Sequence, residues 1–556
     1  AGQEAGPHTE SGKSPKAQAS TFAKASTSGK PTVDKTADKK GPPLRTDPIV
    51  PSSRLWLAAT ALGVSGFASL TLQVVWTRLL VQILGPTTYA FSTVVSIFII
   101  GIAGGAAIAS RLASRMNPAI GLACSLLISA GLALAAASGV DWALLTIAQI
   151  VSRPEYQFAD VMQREVLLVA GLLLPMTLAF GAAFPFAVAV ATGSAFGKAS
   201  TSAKASASAK ATADETADKT ADKREESVTE DIGVIYAVNT IGAILGSLLS
   251  GFVLVPAVGL HGTIRLVAAL GAIVAVAILV KAGHAPGLGR RGLGGAGLGR
   301  RSLGGGGRAV GFALAGGVTV AIIALPQWDR ALLSSGAYKY APAMRGPSLE
   351  TALTAGELLS YREGATGTVA VRRLAGTISL AIDGKVDASN AGDMLTQRLL
   401  AHVPLLLHPN PQRAAILGLG SGVTLGSALT HPLTEVTVLE ISQGVVEASR
   451  FFEAENHRAL ADPRTRLIVG DGRTHLMLGR QSYDVIVSEP SNPWMAGIAS
   501  LFTREFFAGA RDRLTPGGVL CQWAHTYDIS SSDLKSIVAT FLSVFPNGTL
   551  WLVGDA

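Results

Sequence analysis

Apolar residues gather in seven long runs over the first 325 positions: Leu55 to Leu80, Ala90 to Ser110, Ala119 to Gly139, Val166 to Ala191, Ile232 to Val258, Leu266 to Val280 with its flanks, and Ala309 to Leu325. A helix needs ~20 apolar residues to cross the hydrocarbon core of a bilayer. The pattern therefore predicts a multi-pass α-helical membrane domain of about seven spans. Gly101 with Gly105, and Gly242 with Gly246, stand at the four-residue spacing that lets neighbouring helices approach closely. The stretch Val140 to Val151 is amphipathic and is expected to lie at the interface or to re-enter. Polar residues in the runs are few. Arg78 is expected to snorkel to the interface, and Asn239 to hydrogen-bond a neighbouring helix.

Past the last run the period changes. Leu358 to Asp383 alternates apolar and polar residues, which predicts a small antiparallel sheet. Asp393 to Leu407 reads as a helix, with His402 in a packing role. Short apolar runs ending in glycines or acids then follow: AAILGLGSG (Ala414 to Gly422), EVTVLE (Glu435 to Glu440), RLIVGDGR (Arg466 to Arg473), YDVIVSEPSNPW (Tyr483 to Trp494) and GGVLCQWAH (Gly517 to His525). These are buried strands of a doubly wound α/β sheet, whose ligands sit beyond the carboxyl ends of the strands. GTLWLVG (Gly548 to Gly554) is expected as a sixth strand, left exposed at the sheet edge because the chain stops at Ala556 before a seventh.

The strand ends carry the candidate chemistry. Gly418, Gly420, Ser421 and Gly422 form a turn whose backbone can approach a ligand, and Glu440 lies eighteen residues past Gly422, a spacing suited to binding both ribose hydroxyls. Asp471 and Gly472 stand where an adenine edge would meet a carboxylate or an amide. Glu489 and Asn492 open the fourth strand's loop, stiffened by Pro490 and Pro493. The convergence predicts a nucleoside cofactor.

Composition agrees with membrane burial. Of 556 residues 49% are hydrophobic and 15% charged, and the mean hydropathy is +0.40. Two cysteines, Cys124 and Cys521, make neither a disulfide framework nor a metal site. The net charge of +8 does not imply nucleic acid, since the basic residues concentrate in polar, low-complexity segments: the tail 1–52, the insert 193–231 and the glycine-rich insert 285–308. All three are expected to be disordered. FAKASTSGK near Phe22 returns as FGKASTSAK at Phe196, which indicates expansion of polar linker.

The chain is thus divided into the tail 1–52, a membrane domain 53–326, a small β-rich subdomain 327–392 and a Rossmann-like nucleoside-binding domain 393–556, expected to be truncated at its C-terminus. Seven spans put the basic inserts opposite the nucleoside-binding domain. The positive-inside rule makes the insert side cytoplasmic, whereas cofactor supply argues for a cytoplasmic domain; the expected location is the cell membrane with the domain in the cytoplasm.

From about Leu358 onward the sequence resembles the spermidine synthase group of aminopropyltransferases, in the form fused behind a membrane domain. The resemblance rests on LAIDGKVDAS (Leu380 to Ser389), LLAHVPLLLHP (Leu399 to Pro409), GLGSG, Glu440, the GDG at Gly470 to Gly472 and SEPSNPW. In the membrane part it rests on VVWTRLL and IYAVNTIGAILGS. It implies an S-adenosylmethionine-dependent transferase fold preceded by a small β-sheet. The implied reaction passes an aminopropyl group from decarboxylated S-adenosylmethionine to a polyamine such as putrescine and releases methylthioadenosine without a metal. It also leaves room for a homodimer through that domain, with a lipid bilayer as partner and no nucleic acid. By register with the family, Glu489 is the catalytic base, and Asp387, Gln397 and Asn492 contact the amine. The sequence departs from the family where acids are usual, at Ser421 and Asn492, and carries Thr396 and Gln397 in place of a Tyr-His pair. A methyltransferase using ordinary S-adenosylmethionine on a small or lipid substrate, or a non-catalytic polyamine or nucleoside sensor or transporter, are the alternative readings.

Overall fold

The computed structural model describes residues 53–192, 215–284, 303–345, 348–495 and 497–554; the expectations for the tail 1–52 and for most of the two inserts lie outside them. The membrane part consists of α1 (Ser53–Leu84), α2 (Thr88–Leu112), α3 (Pro118–Ser138), α4 (Val140–Val151), α5 (Phe158–Ala191), α6 (Glu215–Leu249), a π-helical turn Ser250–Leu254, α7 (Val255–His284) and α8 (Leu303–Ala324). Both insert boundaries need correction. Helix α6 begins at Glu215, inside the stretch 193–231, and α8 begins at Leu303, inside 285–308. Residues 215–227 are rich in Ala, Glu, Lys and Arg, which favour helix even where no core is available.

Six helices among the described residues are long and apolar enough to cross a membrane, and one of them, Val228–Ala282, runs for 55 residues. A straight helix of that length would measure about 80 Å, far more than a ~30 Å hydrocarbon core. It is broken at Gly259, whose φ of 75° lies outside the helical region. Its first limb packs along α1 and its second along α3 and α8, so the described residues hold seven long helical limbs. The glycine pairs account for the closest approaches. A Cβ on Gly246 would come within 2.3 Å of the Phe67 carbonyl oxygen, and one on Gly105 within 1.9 Å of the Leu178 carbonyl oxygen. Helix α4 has 12 residues, too few to span. It buries Val140, Ala143, Leu144, Ile147 and Ala148, and the short helices of the linker, Arg330–Leu333, Ala337–Tyr340 and Leu349–Leu353, pack against it.

Arg78 does not snorkel. Its Nη1 donates to the Ala365 carbonyl oxygen at 2.9 Å, because the extramembrane part of the chain is packed directly on that end of α1. The same face of the bundle carries Gln82, whose Oε1 accepts from the Tyr361 hydroxyl at 3.1 Å. There too the Glu363 carboxylate accepts from the Leu260 amide at 2.6 Å and so caps the second limb of the broken helix, while Asn239 packs against Gly66.

A four-stranded antiparallel sheet follows, β1 (Glu357–Glu363), β2 (Thr368–Leu374), β3 (Thr377–Ile382) and β4 (Lys385–Ser389), in the order β1-β2-β3-β4. Then come α9 (Met394–Leu407), β5 (Arg413–Leu417), α10 (Val423–Ala428), β6 (Glu435–Glu440), α11 (Gln443–Ala448), β7 (Thr465–Val469), α12 (Gly472–Leu478), β8 (Tyr483–Ser488), α13 (Arg504–Arg511), β9 (Leu514–Gln522) and α14 (Ser531–Leu542). All pairings in the second sheet are parallel, in the order β7-β6-β5-β8-β9. A parallel sheet covered on both faces needs strands that are apolar throughout, and β5, β6 and β8 are buried along nearly their whole length. The chain builds β6 and β7 on one side of β5, then returns to place β8 and β9 on the other. The switch point, where a doubly wound fold opens its ligand crevice, therefore lies between β5 and β8. The expected sixth strand does not form: residues 548–553 are unpaired, and Leu550, Trp551 and Leu552 are all exposed. A strand needs a neighbour or a packed face, and this run has neither.

Candidate functional site

Three segments meet at the switch point. The turn after β5 holds Gly418, Gly420 and Gly422 at φ of 96°, 51° and 82°. A Cβ on Gly418 would stand 2.6 Å from the Glu489 carbonyl oxygen, so glycine there lets the β5 and β8 loops touch. Glu440, at the tip of β6, is buried. Its Oε2 accepts from the Leu419 amide at 2.9 Å and its Oε1 from the Ser442 amide at 2.8 Å. Burial raises its carboxyl above the ordinary value, against those backbone hydrogen bonds. The Ile441 amide is a third backbone donor to the carboxylate, so the acceptor sites left over suit a ribose hydroxyl. Asp471 is exposed and caps α12, accepting from the Arg473 amide at 3.0 Å, and Gly472 packs on Leu417 and Leu439.

Glu489 stands on the β8 loop, with its amide bonded to the Leu417 carbonyl oxygen at 2.9 Å. The Thr424 hydroxyl lies 2.8 Å from Glu489 Oε2 and 2.9 Å from the Gln397 carbonyl oxygen. One hydroxyl proton cannot serve both acceptors, so the pair is fully satisfied when Glu489 carries a proton and donates it to Thr424. Burial pushes the Glu489 carboxyl up to about 7, against the hydrogen bond that Thr424 can donate to its ionised form. Gln397 is buried and engaged throughout: its Nε2 donates to the Ser389 carbonyl oxygen at 3.0 Å and its Oε1 accepts from the Ser421 hydroxyl. Ser421 thereby turns its side chain into the protein.

Asp387, on β4, is paired with Lys385 at 2.6 Å, and both side chains are nearly buried. Asp387 Oδ1 also accepts from the Ser491 hydroxyl at 2.5 Å, while Oδ2 is buried without a partner. Asn492 is fully buried and neither of its polar atoms makes a hydrogen bond of good geometry, with the Tyr527 hydroxyl its neighbour. His525 is buried, and its Nδ1 meets the Tyr527 carbonyl oxygen while Nε2 has no partner. Burial lowers its pKa below the ordinary value, against the hydrogen bond to the Tyr527 carbonyl. Ser488 Oγ, Trp494 Nε1 and Gln522 Oε1 are also buried and unpartnered. Buried polar groups are normally satisfied, so this concentration at the ends of β4, β8 and β9 marks a place for a polar ligand.

Residues 393–553 match the family described as "Spermine/spermidine synthase domain". This part of the chain is similar to spermidine synthase domains. It is 31% identical over 169 residues to a spermidine synthase of Dictyostelium discoideum, which covers 30% of this chain and 59% of that protein. It is 32% identical over 188 residues to a polyamine aminopropyltransferase of Thermotoga petrophila, covering 31% of this chain and 63% of the relative. With putrescine N-methyltransferase 3 of Nicotiana tabacum it shares 33% identity over 168 residues, 30% of this chain and 44% of the relative. The chain thus spans less than two thirds of the length of these relatives. The motif spacing singled out Glu440, the glycine turn, Glu489 and Asn492 as candidates. It assigned nothing to Thr424 and Ser491, which stand beside those motifs, nor to Lys385, His525 and Tyr527, which approach from other segments through tertiary packing.

Proposed function

We propose that this chain is a membrane-anchored transferase of the aminopropyltransferase type, moving an aminopropyl group from decarboxylated S-adenosylmethionine to a di- or polyamine such as putrescine. In the reaction the neutral acceptor nitrogen attacks the carbon beside the sulfonium. The C–S bond breaks, its electron pair stays on sulfur, and methylthioadenosine leaves. Glu440 would hold the ribose, Asp471 and Gly472 the adenine edge, and the turn Gly418 to Gly422 the sulfonium end. Glu489 takes the amine proton. The observation that carries the reading is the Glu489 carboxyl, pushed up to about 7 beside the glycine turn, where a general base working near neutral pH should titrate. Asp387, with one oxygen unpartnered, and Asn492 would receive the acceptor, and Gln397 acts by holding Ser421 and Thr424 in place.

One observation favours a second reading. Ser421 stands where the family usually has an acid, and its hydroxyl is bonded to Gln397, so the turn offers no carboxylate to an aminopropyl ammonium and none to repel the carboxylate of ordinary S-adenosylmethionine. Methyl transfer to an amine would suit that turn, as the putrescine N-methyltransferases among the relatives suggest. The detergent-purified protein, given putrescine and each nucleoside in turn, is expected to release methylthioadenosine from the decarboxylated one. Release of S-adenosylhomocysteine from the ordinary one instead would establish methyl transfer, and release of neither would refute both.

A further inference from the structure

The linker between bundle and sheet places a lysine where a substrate amine would be expected. Lys339 Nζ stands 6.0 Å from the ring centroid of Tyr340, 5.8 Å from that of Trp494 and 5.3 Å from that of Tyr527, and it is paired with Asp528. Rings and a carboxylate around one ammonium are the arrangement by which proteins bind ammonium ligands. The cage is assembled from the linker, the β8 loop and the segment after β9, and the last two also carry Asn492 and His525 with their unpartnered polar atoms. An ordinary surface ion pair needs no such enclosure and contributes little.

The linker backbone is fixed on both sides. Gly336 lies against Gly384, and the Tyr338 ring lies against Gly85 in the turn between α1 and α2. The Tyr338 hydroxyl donates to the Asp383 carbonyl oxygen at 3.3 Å, and the Tyr340 hydroxyl accepts from the Val386 amide at 3.0 Å. The backbone of Lys339 is thus held, while its side chain, 21% exposed, has four rotatable bonds by which to leave. Lys385 differs: at 3% exposure it is locked against Asp387.

We propose that Lys339 is a built-in occupant of an ammonium subsite formed by Tyr340, Trp494, Tyr527 and Asp528, and that an acceptor binds by displacing it. The proposal rests on the acceptor being a cationic amine. When Lys339 swings out, Asp528 and the three rings take the acceptor's distal ammonium, which leaves the other nitrogen neutral for attack near Glu489. The exchange is ammonium for ammonium, so the charge inside the cage stays constant. Acceptors with a single nitrogen cannot both fill the cage and react.

The test is calorimetry on the full chain in detergent, with n-butylamine and putrescine as probes, for the wild type, K339A and K339R. Removing the internal competitor is expected to tighten butylamine binding roughly tenfold or more in K339A, while K339R, which keeps a cation in the cage, stays as weak as the wild type. As a readout needing no variant, acylation of Lys339 by an amine-reactive ester, measured by peptide mass relative to the exposed Lys535 to cancel reagent consumed by the diamine, should rise when putrescine is added. Butylamine affinity in K339A equal to or below wild type, or Lys339 acylation indifferent to putrescine, overturns the proposal. Tighter amine binding in K339A without turnover of either nucleoside would leave the proposal standing and remove the transferase reading instead.

Discussion

In the proposed reaction Glu489 would tie chemistry to stability through one proton. With a folded-state value of about 7 against an ordinary 4.5, it stays protonated in the folded chain over a pH range in which the unfolded chain has already released its proton. Its contribution to stability is therefore most favourable below 4.5 and declines as pH rises to about 7. That interval corresponds to on the order of 3 kcal/mol. Glu489→Gln abolishes this slope, so the variant is expected to melt higher than the wild type at pH 8 and much like it at pH 4.5, as differential scanning fluorimetry would show. The same substitution should lower turnover by ~10² to 10⁴ with nucleoside binding nearly intact, and wild-type activity should rise with pH through about 7. Glu440→Gln is expected to behave oppositely, weakening methylthioadenosine binding by roughly 1 to 3 kcal/mol in calorimetry. Unchanged affinity would move the ribose site away from β6.

At the scale of elements, the broken helix shows how packing and sequence agree. A Cβ on Gly246 would meet the Phe67 carbonyl oxygen at 2.3 Å, whereas one on Gly171 in α5 would meet nothing within 4 Å. Gly246→Leu is thus expected to destabilise the bundle by about 1 to 3 kcal/mol or more, and Gly171→Ala to leave it unchanged or raise it by up to about 1 kcal/mol, both read as melting in detergent. What could be read from the sequence follows the same physics. β5, β6 and β8 are apolar runs that end in glycine or acid, so hydropathy alone located them, and Gly259 separates two runs recognisable as distinct spans. Residues 548–554 carry the same apolar signal yet stay unpaired, because strand formation depends on a neighbour that local pattern does not encode. Arg78 was misread for a similar reason: its partner, the Ala365 carbonyl, lies 287 positions away. The site divides likewise. Glu440 and the glycine turn are spaced along one βαβ unit, but Lys339, Lys385 and Tyr527 meet only through the docking of the linker and the small sheet.

Across the whole molecule, seven membrane crossings would put the loop between α7 and α8 and the spermidine synthase-like domain on opposite sides. With the domain on the side where S-adenosyl nucleosides are made, a reporter fused after Ala556 is expected to be active in the cytoplasm and one in that loop only outside. A terminal fusion active only outside would reverse the placement. The bond from the Leu260 amide to Glu363 bears on how the protein can be handled. A helix start that belongs to the bundle is closed by a carboxylate that belongs to β1, and Arg78 and Gln82 reach across the same seam. Excising the domain at the end of α8 would leave Glu363 and the Ala365 carbonyl without these partners and would open the seam to water, so the two halves are best regarded as one indivisible body for purification, ligand screening and any design that grafts the domain elsewhere.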